Sequence, residues 1–179
     1  VLDGTAKEIK EKLERDGFAV AGSVFSEEKM GSLPKAVFDE VFSFADVVLV
    51  EADGSKRMPL KMPRQDEPVL PEECDFLVTV AGLSALEQPL EQACHRFALV
   101  SSMFSGKTVA EGDIFPILQA GYGTLWDKIQ GCVFLNQADV AGWDRAERIA
   151  ADFSVPCLWG SLRQKQYHRK EGDSHERSI

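Results

Sequence analysis

Apolar positions in this chain follow two rhythms: the three-to-four-residue spacing of helices that bury one side, and short unbroken aliphatic runs typical of strands buried on both faces. Thr5–Asp16 carries Ile9 and Leu13 at helical spacing, behind a Thr5 cap and ahead of Gly17, which predicts a helix over 5–16. Phe18–Val24 reads as a strand, and Pro34–Phe44 as a helix through Val37, Phe38, Val41 and Phe42. The run Val47-Val48-Leu49-Val50 predicts a strand over 46–51, and Asp75–Gly82 predicts the next, followed by a helical segment from Gly82 toward Phe97. A helix near 111–120, a strand at 131–135, a helix at 143–152 and a short strand around Val155–Trp159 complete the order. Strands alternating with helices predict an α/β fold of three layers around a mainly parallel sheet, in a single domain over residues 1–162.

The aliphatic run at 47–50 stops at Glu51-Ala52-Asp53-Gly54-Ser55. In open sheets ligands bind beyond the carboxyl ends of the strands, and the two-residue repeat of a strand would send Glu51 and Asp53 to one side. Two hard carboxylates beside a Gly54-Ser55 turn suit a Mg²⁺ ion carrying phosphates; a solvated turn uses the same residue types. From Gly54 to Cys74 no clean period survives, and prolines at 59, 63, 68 and 71 block helix and most ladder bonding. An irregular connection of about twenty residues is expected to be a lid or a binding loop. Its cations Lys56, Arg57, Lys61 and Arg64 precede Asp66 and Glu67, so it can bring positive charge over a phosphate, or serve as an ordinary solvated loop.

A formal charge of −9 argues against partners that attract cations, namely nucleic acid and anionic membrane surfaces. No apolar run approaches a membrane span and no signal peptide is visible. Cys74, Cys94, Cys132 and Cys157 form no CxxC pair, which points to a reducing, cytoplasmic compartment, with Cys132 and Cys157 acting as small buried hydrophobes. The last seventeen residues, 163–179, are polar and aperiodic and are expected to form a disordered tail. The chain begins at Val1, so a processed start or an absent N-terminal part is expected.

Three further patterns bear on chemistry. Ser105-Gly106-Lys107-Thr108 resembles the end of a phosphate loop, but Ser101 stands where that motif needs its first glycine, and a surface turn is the preferred reading. Asn136-Gln137-Ala138-Asp139 follows a strand. In nucleotide-binding α/β folds such a sequence lets the Asp carboxylate accept from a guanine edge while the Asn orients base and loop. Turn and helix-capping roles for the same residues stay open. His95-Arg96 lies in a segment of helical character, where a lone histidine is expected to be hydrogen-bonded rather than a ligand.

Glu51-Ala-Asp-Gly-Ser-Lys-Arg-Met-Pro-Leu-Lys61, Glu67-Pro-Val-Leu-Pro71, Ala81-Gly-Leu, His95-Arg96 and Leu135-Asn-Gln-Ala-Asp139 together resemble, in order, the pattern of the selenium-dependent hydroxylase accessory protein family (YqeC-like). The resemblance extends from about Gly22 to Asp139. It implies a P-loop-NTPase-like fold and a part in maturing selenium-dependent molybdenum hydroxylases, with that hydroxylase or its cofactor as partner. It also implies a glycine-rich GKT-type loop upstream of Thr5–Lys12, which is not in this chain. By the same resemblance Glu51 and Asp53 hold or orient around Mg²⁺. Lys61 and Arg57, with Gly54 and Ser55, face the phosphates of GTP or ATP, or an anionic substrate. Glu67 supports the loop, and Asn136 and Asp139 contact a base. The expected function is a nucleotide-binding accessory protein, with Mg-dependent NTP hydrolysis through Glu51, Asp53 and Lys61. The alternatives are a non-catalytic module or chaperone gripping the cofactor or client, and a transferase with the 54–74 loop as lid.

Overall fold

The computed structural model describes residues 1–26, 29–104 and 106–170. The chain divides into two compact units, Val1–Val50 and the part from Glu51 onward. In the first, α1 (Ala6–Asp16) begins at a reciprocal cap: Glu8 N–H donates to the Thr5 hydroxyl, and Thr5 N–H donates to the Glu8 carboxylate at 2.8 Å. It ends at Gly17, whose φ of 77° lets its N–H reach the Leu13 carbonyl. β1 (Ser23–Ser26) and β2 (Lys29–Gly31) form an antiparallel ribbon, and α2 (Lys35–Phe42) packs with α1 through Ala6, Ile9 and Val41.

The strand expected over 46–51 does not form. Val47 and Leu49 are 76 % and 91 % exposed, and Val47–Val50 has no ladder partner. Four aliphatic residues supply strand propensity, yet a strand exists only where a neighbour takes its backbone groups. In this unit the described strand contacts are the β1–β2 ribbon and a Leu2–Gly22 bridge. Glu51 and Asp53 therefore do not ride on a strand.

The second unit contains β3 (Leu60–Lys61), β4 (Leu77–Gly82), α3 (Leu90–Ala93), β5 (Cys94–His95), α4 (Glu111–Trp126), β6 (Gly131–Asn136), α5 (Ala138–Ala141), α6 (Trp143–Ala151), β7 (Cys157–Ser161) and β8 (Gln166–Arg169). Its sheet runs β4-β6-β7-β8. β4, β6 and β7 are parallel, in register from Leu77–Gly131 to Gly82–Asn136 and from Val133–Cys157 to Leu135–Trp159, and β8 is antiparallel. β3 and β5 form a separate parallel pair, Leu60 with Cys94 and Lys61 with His95. The unit is thus mixed α/β with mainly parallel strands. Ala81, Val133, Leu135 and Trp159 share one core with Ile114, Ile117 and Leu118 of α4, Ile149 of α6, and Phe153. Trp126 Nε1 donates to Thr79 Oγ1 at 3.0 Å, tying the end of α4 to β4. Along β4 the alternate row faces away: Val78 and Val80 are exposed while Leu77, Thr79 and Ala81 are buried.

Two more expectations change. The segment 82–97 is not a helix but a 3₁₀ turn at Leu83–Ala85, the four-residue α3 after Pro89, and β5, because Cys94 and His95 extend to pair with β3. Of the polar segment 163–179, Gln166–Arg169 forms β8. All four of its side chains are exposed, so polarity there marks an outward-facing edge strand rather than an unstructured backbone. Residues 171–179 and Ser105 lie outside the described residues. The neighbouring Gly106 and Lys107 are exposed, and Thr108 bridges to Pro89.

Cys94, Cys132 and Cys157 are buried free thiols, and Cys74 is half-buried. Burial pushes Cys94 up to about 11 and Cys157 to about 12. All three tryptophans (Trp126, Trp143 and Trp159) and both tyrosines (Tyr122 and Tyr167) belong to the second unit. Among the described residues no helix is long and apolar enough to cross a membrane.

Candidate functional site

β4 and β6 end side by side at Gly82 and Asn136, and the irregular loop crosses there. Gly82 N–H donates to the Pro59 carbonyl at 2.8 Å; a Cβ on Gly82 would lie 2.6 Å from Gln137 Oε1 and 2.9 Å from Pro59 Cβ, so only glycine admits the crossing. The next two residues are β3. Farther on, Pro63 lies against α4 at Gly121, where an added Cβ would come within 2.7 Å of Pro63 Cδ. Held between the strand ends and α4, the loop carries Lys61 inward until its side chain is only 6 % exposed.

A buried ammonium needs partners, and Lys61 has three: the Asp53 carboxylate, Glu67 Oε2 at 2.9 Å, and the Gly54 carbonyl at 3.0 Å. Glu67 also accepts a fork from Arg96, with Nη2 to Oε1 at 2.9 Å and Nη1 to Oε2, and takes Arg64 N–H at 3.2 Å. Tyr122, from α4, donates its hydroxyl to Asp53 Oδ2 at 2.7 Å. Asp53 Oδ1 is buried without a hydrogen bond, and the Lys61 ammonium is the charge set against it. Two cations thus neutralise two carboxylates in a site that is mostly withdrawn from water. Arg96 holds this fork from a left-handed backbone (φ 62°), a conformation costing a non-glycine residue about 1–2 kcal/mol.

The electrostatics follow the geometry. The Arg96 fork, helped by Lys61 and Arg64 N–H against the opposing effect of burial, holds the Glu67 carboxyl down at about 2. Burial, with Glu67 and Cys94 adding to it, pushes Tyr122 up to about 12, so it stays a donor to Asp53. His95 is lowered first by burial, then by the nearby charges of Arg96, Lys56 and Lys61, with Glu67 opposing.

Asp53, Lys61 and Glu67 converge, and the structure adds Arg96 and Tyr122 to them. Glu51 is exposed; its Oε1 lies 3.8 Å from where a Cβ on Gly54 would sit. Gly54 presents its carbonyl to Lys61, which offers nothing to a phosphate. Ser55 Oγ donates to the Met58 carbonyl at 2.8 Å, closing a turn whose centre is Lys56 (φ 53°) and Arg57 (φ 64°), both exposed. Asn136 Oδ1 accepts from Gln137 N–H at 2.8 Å and from Leu162 N–H at 3.2 Å, so its amide oxygen ties the end of β6 to the β7–β8 connection. Asp139 stands half-exposed in the first turn of α5. Among the described residues no three His, Cys, Asp or Glu side chains converge on a metal position.

Sequence reasoning left out Arg96 and Tyr122 as site residues. Arg96 was hidden by the helical look of its segment. Tyr122 had a readable signal, since it sits between Gly121 and Gly123 inside a helix, where each glycine costs about 1 kcal/mol relative to alanine and so calls for a packing reason.

Compared with known proteins, residues 2–98 match the model of the family described as YqeC protein. The chain is also similar to the uncharacterized protein YqeC of Escherichia coli (strain K12), at 32 % identity over 91 residues. The match covers 49 % of this chain and 36 % of that protein, so about a third of the relative's length is spanned. No solved structure matches the chain.

Proposed function

As this chain belongs to the YqeC protein family, we propose that it is a cytoplasmic, P-loop-NTPase-like nucleotide-binding accessory protein that serves the maturation of selenium-dependent molybdenum hydroxylases. The observation that carries the binding part is the largely buried Asp53–Lys61–Glu67–Arg96 network beside the carboxyl ends of parallel β4 and β6, the edge where α/β sheets hold ligands. Mg²⁺, when bound with the nucleotide, supplies charge neutralisation between phosphate oxygens. Asp53 is the carboxylate suited to it, with Glu51 within the same turn of chain. Lys61, which stands against Asp53 Oδ1, would be the ammonium facing the phosphates of a bound nucleotide. Gly54, Ser55 and Arg57 would border the phosphates, Glu67 holds the loop through Lys61 and Arg96, and Asn136 and Asp139 would contact the base.

A second reading is favoured by one observation. Lys61 is fully engaged, and Asp53 and Glu67 are each neutralised by a cation, so no group in the network has a free hand for proton transfer. This supports binding without turnover, as in a module that grips an anionic cofactor or the client hydroxylase. Calorimetric titration with Mg·GTP and Mg·ATP, with Asp53→Asn as the paired variant, tests the site. Binding weakened tenfold or more by the substitution is expected. Absence of binding to either nucleotide overturns the nucleotide reading and leaves cofactor or client binding as the activity to assay.

A further inference from the structure

The turn at Ser55–Met58 contradicts its own residue types. Met58 N–H donates to the Ser55 carbonyl at 3.1 Å, and both central residues, Lys56 and Arg57, have positive φ. That is the pattern of a type I′ turn, whose two centres are ordinarily Asn-Gly or Asp-Gly because other side chains are strained there. Here the chain places its two cationic side chain types, lysine and arginine, at consecutive left-handed, exposed positions, and among the described residues neither side chain makes a hydrogen bond or ion pair. Such strain persists only where the surroundings impose it. Ser55 Oγ closes the turn a second time onto the Met58 carbonyl, and the preceding Gly54 carbonyl is held by buried Lys61. The turn is therefore a rigid mount, with two unneutralised cations on it, in a chain whose net charge is −9.

From this geometry we infer that the Lys56–Arg57 turn is a binding site for a phosphate-class polyanion, gripped by the ammonium and guanidinium outside the neutral, largely buried network. Arg57 supplies the planar fork suited to two phosphoryl oxygens, and Lys56 the compact point charge. The depressed pKa of His95, to which Lys56 contributes after burial and Arg96, agrees with a cationic field around His95. The ligand chemistry, doubly or more highly charged phosphate, is common to free pyrophosphate and to the phosphates of a nucleotide. Only the second source rests on the nucleotide reading above.

The test pairs two measurements on the 179-residue chain. Lys56→Asn with Arg57→Gly gives the turn its preferred residues and removes both charges. Lys107→Asn with Lys128→Asn removes equal charge from exposed positions elsewhere. Calorimetry with pyrophosphate, Mg·ATP and Mg·GTP at low salt should show polyanion binding weakened at least tenfold by the turn variant and by less than about threefold by the remote one. The charge-preserving swap Lys56→Arg with Arg57→Lys should stay within about threefold of the parent. The turn variant should also melt higher than the parent, since it relieves strain. Pyrophosphate binding without nucleotide binding sustains the turn site and overturns the nucleotide reading. Nucleotide binding that the turn variant leaves intact, or no polyanion binding at all, overturns the inference.

Discussion

Glu67 is the residue on which the network turns, because among the described residues it is the only group that bonds both cations, Lys61 and Arg96. Its carboxyl is held at about 2 against 4.5 when unperturbed, so the folded state favours the ionised form. The resulting stability is fully present above about pH 4.5 and drains away as the pH falls toward about 2. Glu67→Gln should remove that dependence, flattening the acid limb of a stability-versus-pH curve measured by urea melts. At neutral pH it should cost about 2–3 kcal/mol, somewhat below the 3–5 kcal/mol of a fully buried broken pair because a fifth of the side chain is exposed. An acid limb as steep as the parent's would show that Glu67 is not the titrating group.

Among the elements, the glycines of α4 and β4 determine whether the loop can reach the site. Gly121→Ala puts a methyl group 2.7 Å from Pro63 Cδ, and Gly123 stands one residue beyond Tyr122. Helix propensity alone would gain about 1 kcal/mol from that alanine. The expected result is the opposite: no gain or a net loss in Tm, together with a downward shift of the Tyr122 pKa from about 12 as the loop lifts and its burial falls, read by ultraviolet titration. A Tm rise with an unchanged tyrosine titration would mean that the loop does not press on α4. The same elements show what the sequence disclosed. The helices at 5–16, 34–44 and 143–152 and the strands at 75–82, 131–135 and 155–159 were legible because apolar periods, and for the first helix the Thr5 cap and Gly17 stop, agree with local packing. Val47–Val50 was misread because pairing is not written in a strand's own residues, and β5 because two residues cannot show a period. Of the site, an irregular charged loop over 54–74 was legible from its prolines and charges, whereas Asp53 was singled out through a strand that does not form. Its partners Arg96 and Tyr122 lie 29 and 69 residues away, a separation that no local pattern encodes.

For the whole molecule, the balance lies between a net charge of −9 and an exposed apolar row on β4. Val78 and Val80, 49 % and 57 % exposed, sit on a strand at the end of the sheet order, whose ladder partner among the described residues is β6. Repulsion between copies is strong at pH 7 and vanishes near the pI of about 4.9, so self-association by light scattering should peak there. Val80→Lys should reduce that peak while changing stability by less than about 0.5 kcal/mol, as expected of an exposed position. Unchanged scattering would place the association elsewhere.

The division of aromatic residues between the two units makes them optically separable. With every tryptophan and tyrosine in the part from Glu51 onward, and only phenylalanine in Val1–Val50, intrinsic fluorescence reports on one unit alone. Far-ultraviolet circular dichroism sees the helices of both. A mismatch between the two melting curves would therefore reveal the unit without tryptophan and tyrosine opening on its own, without a label and without cutting the chain.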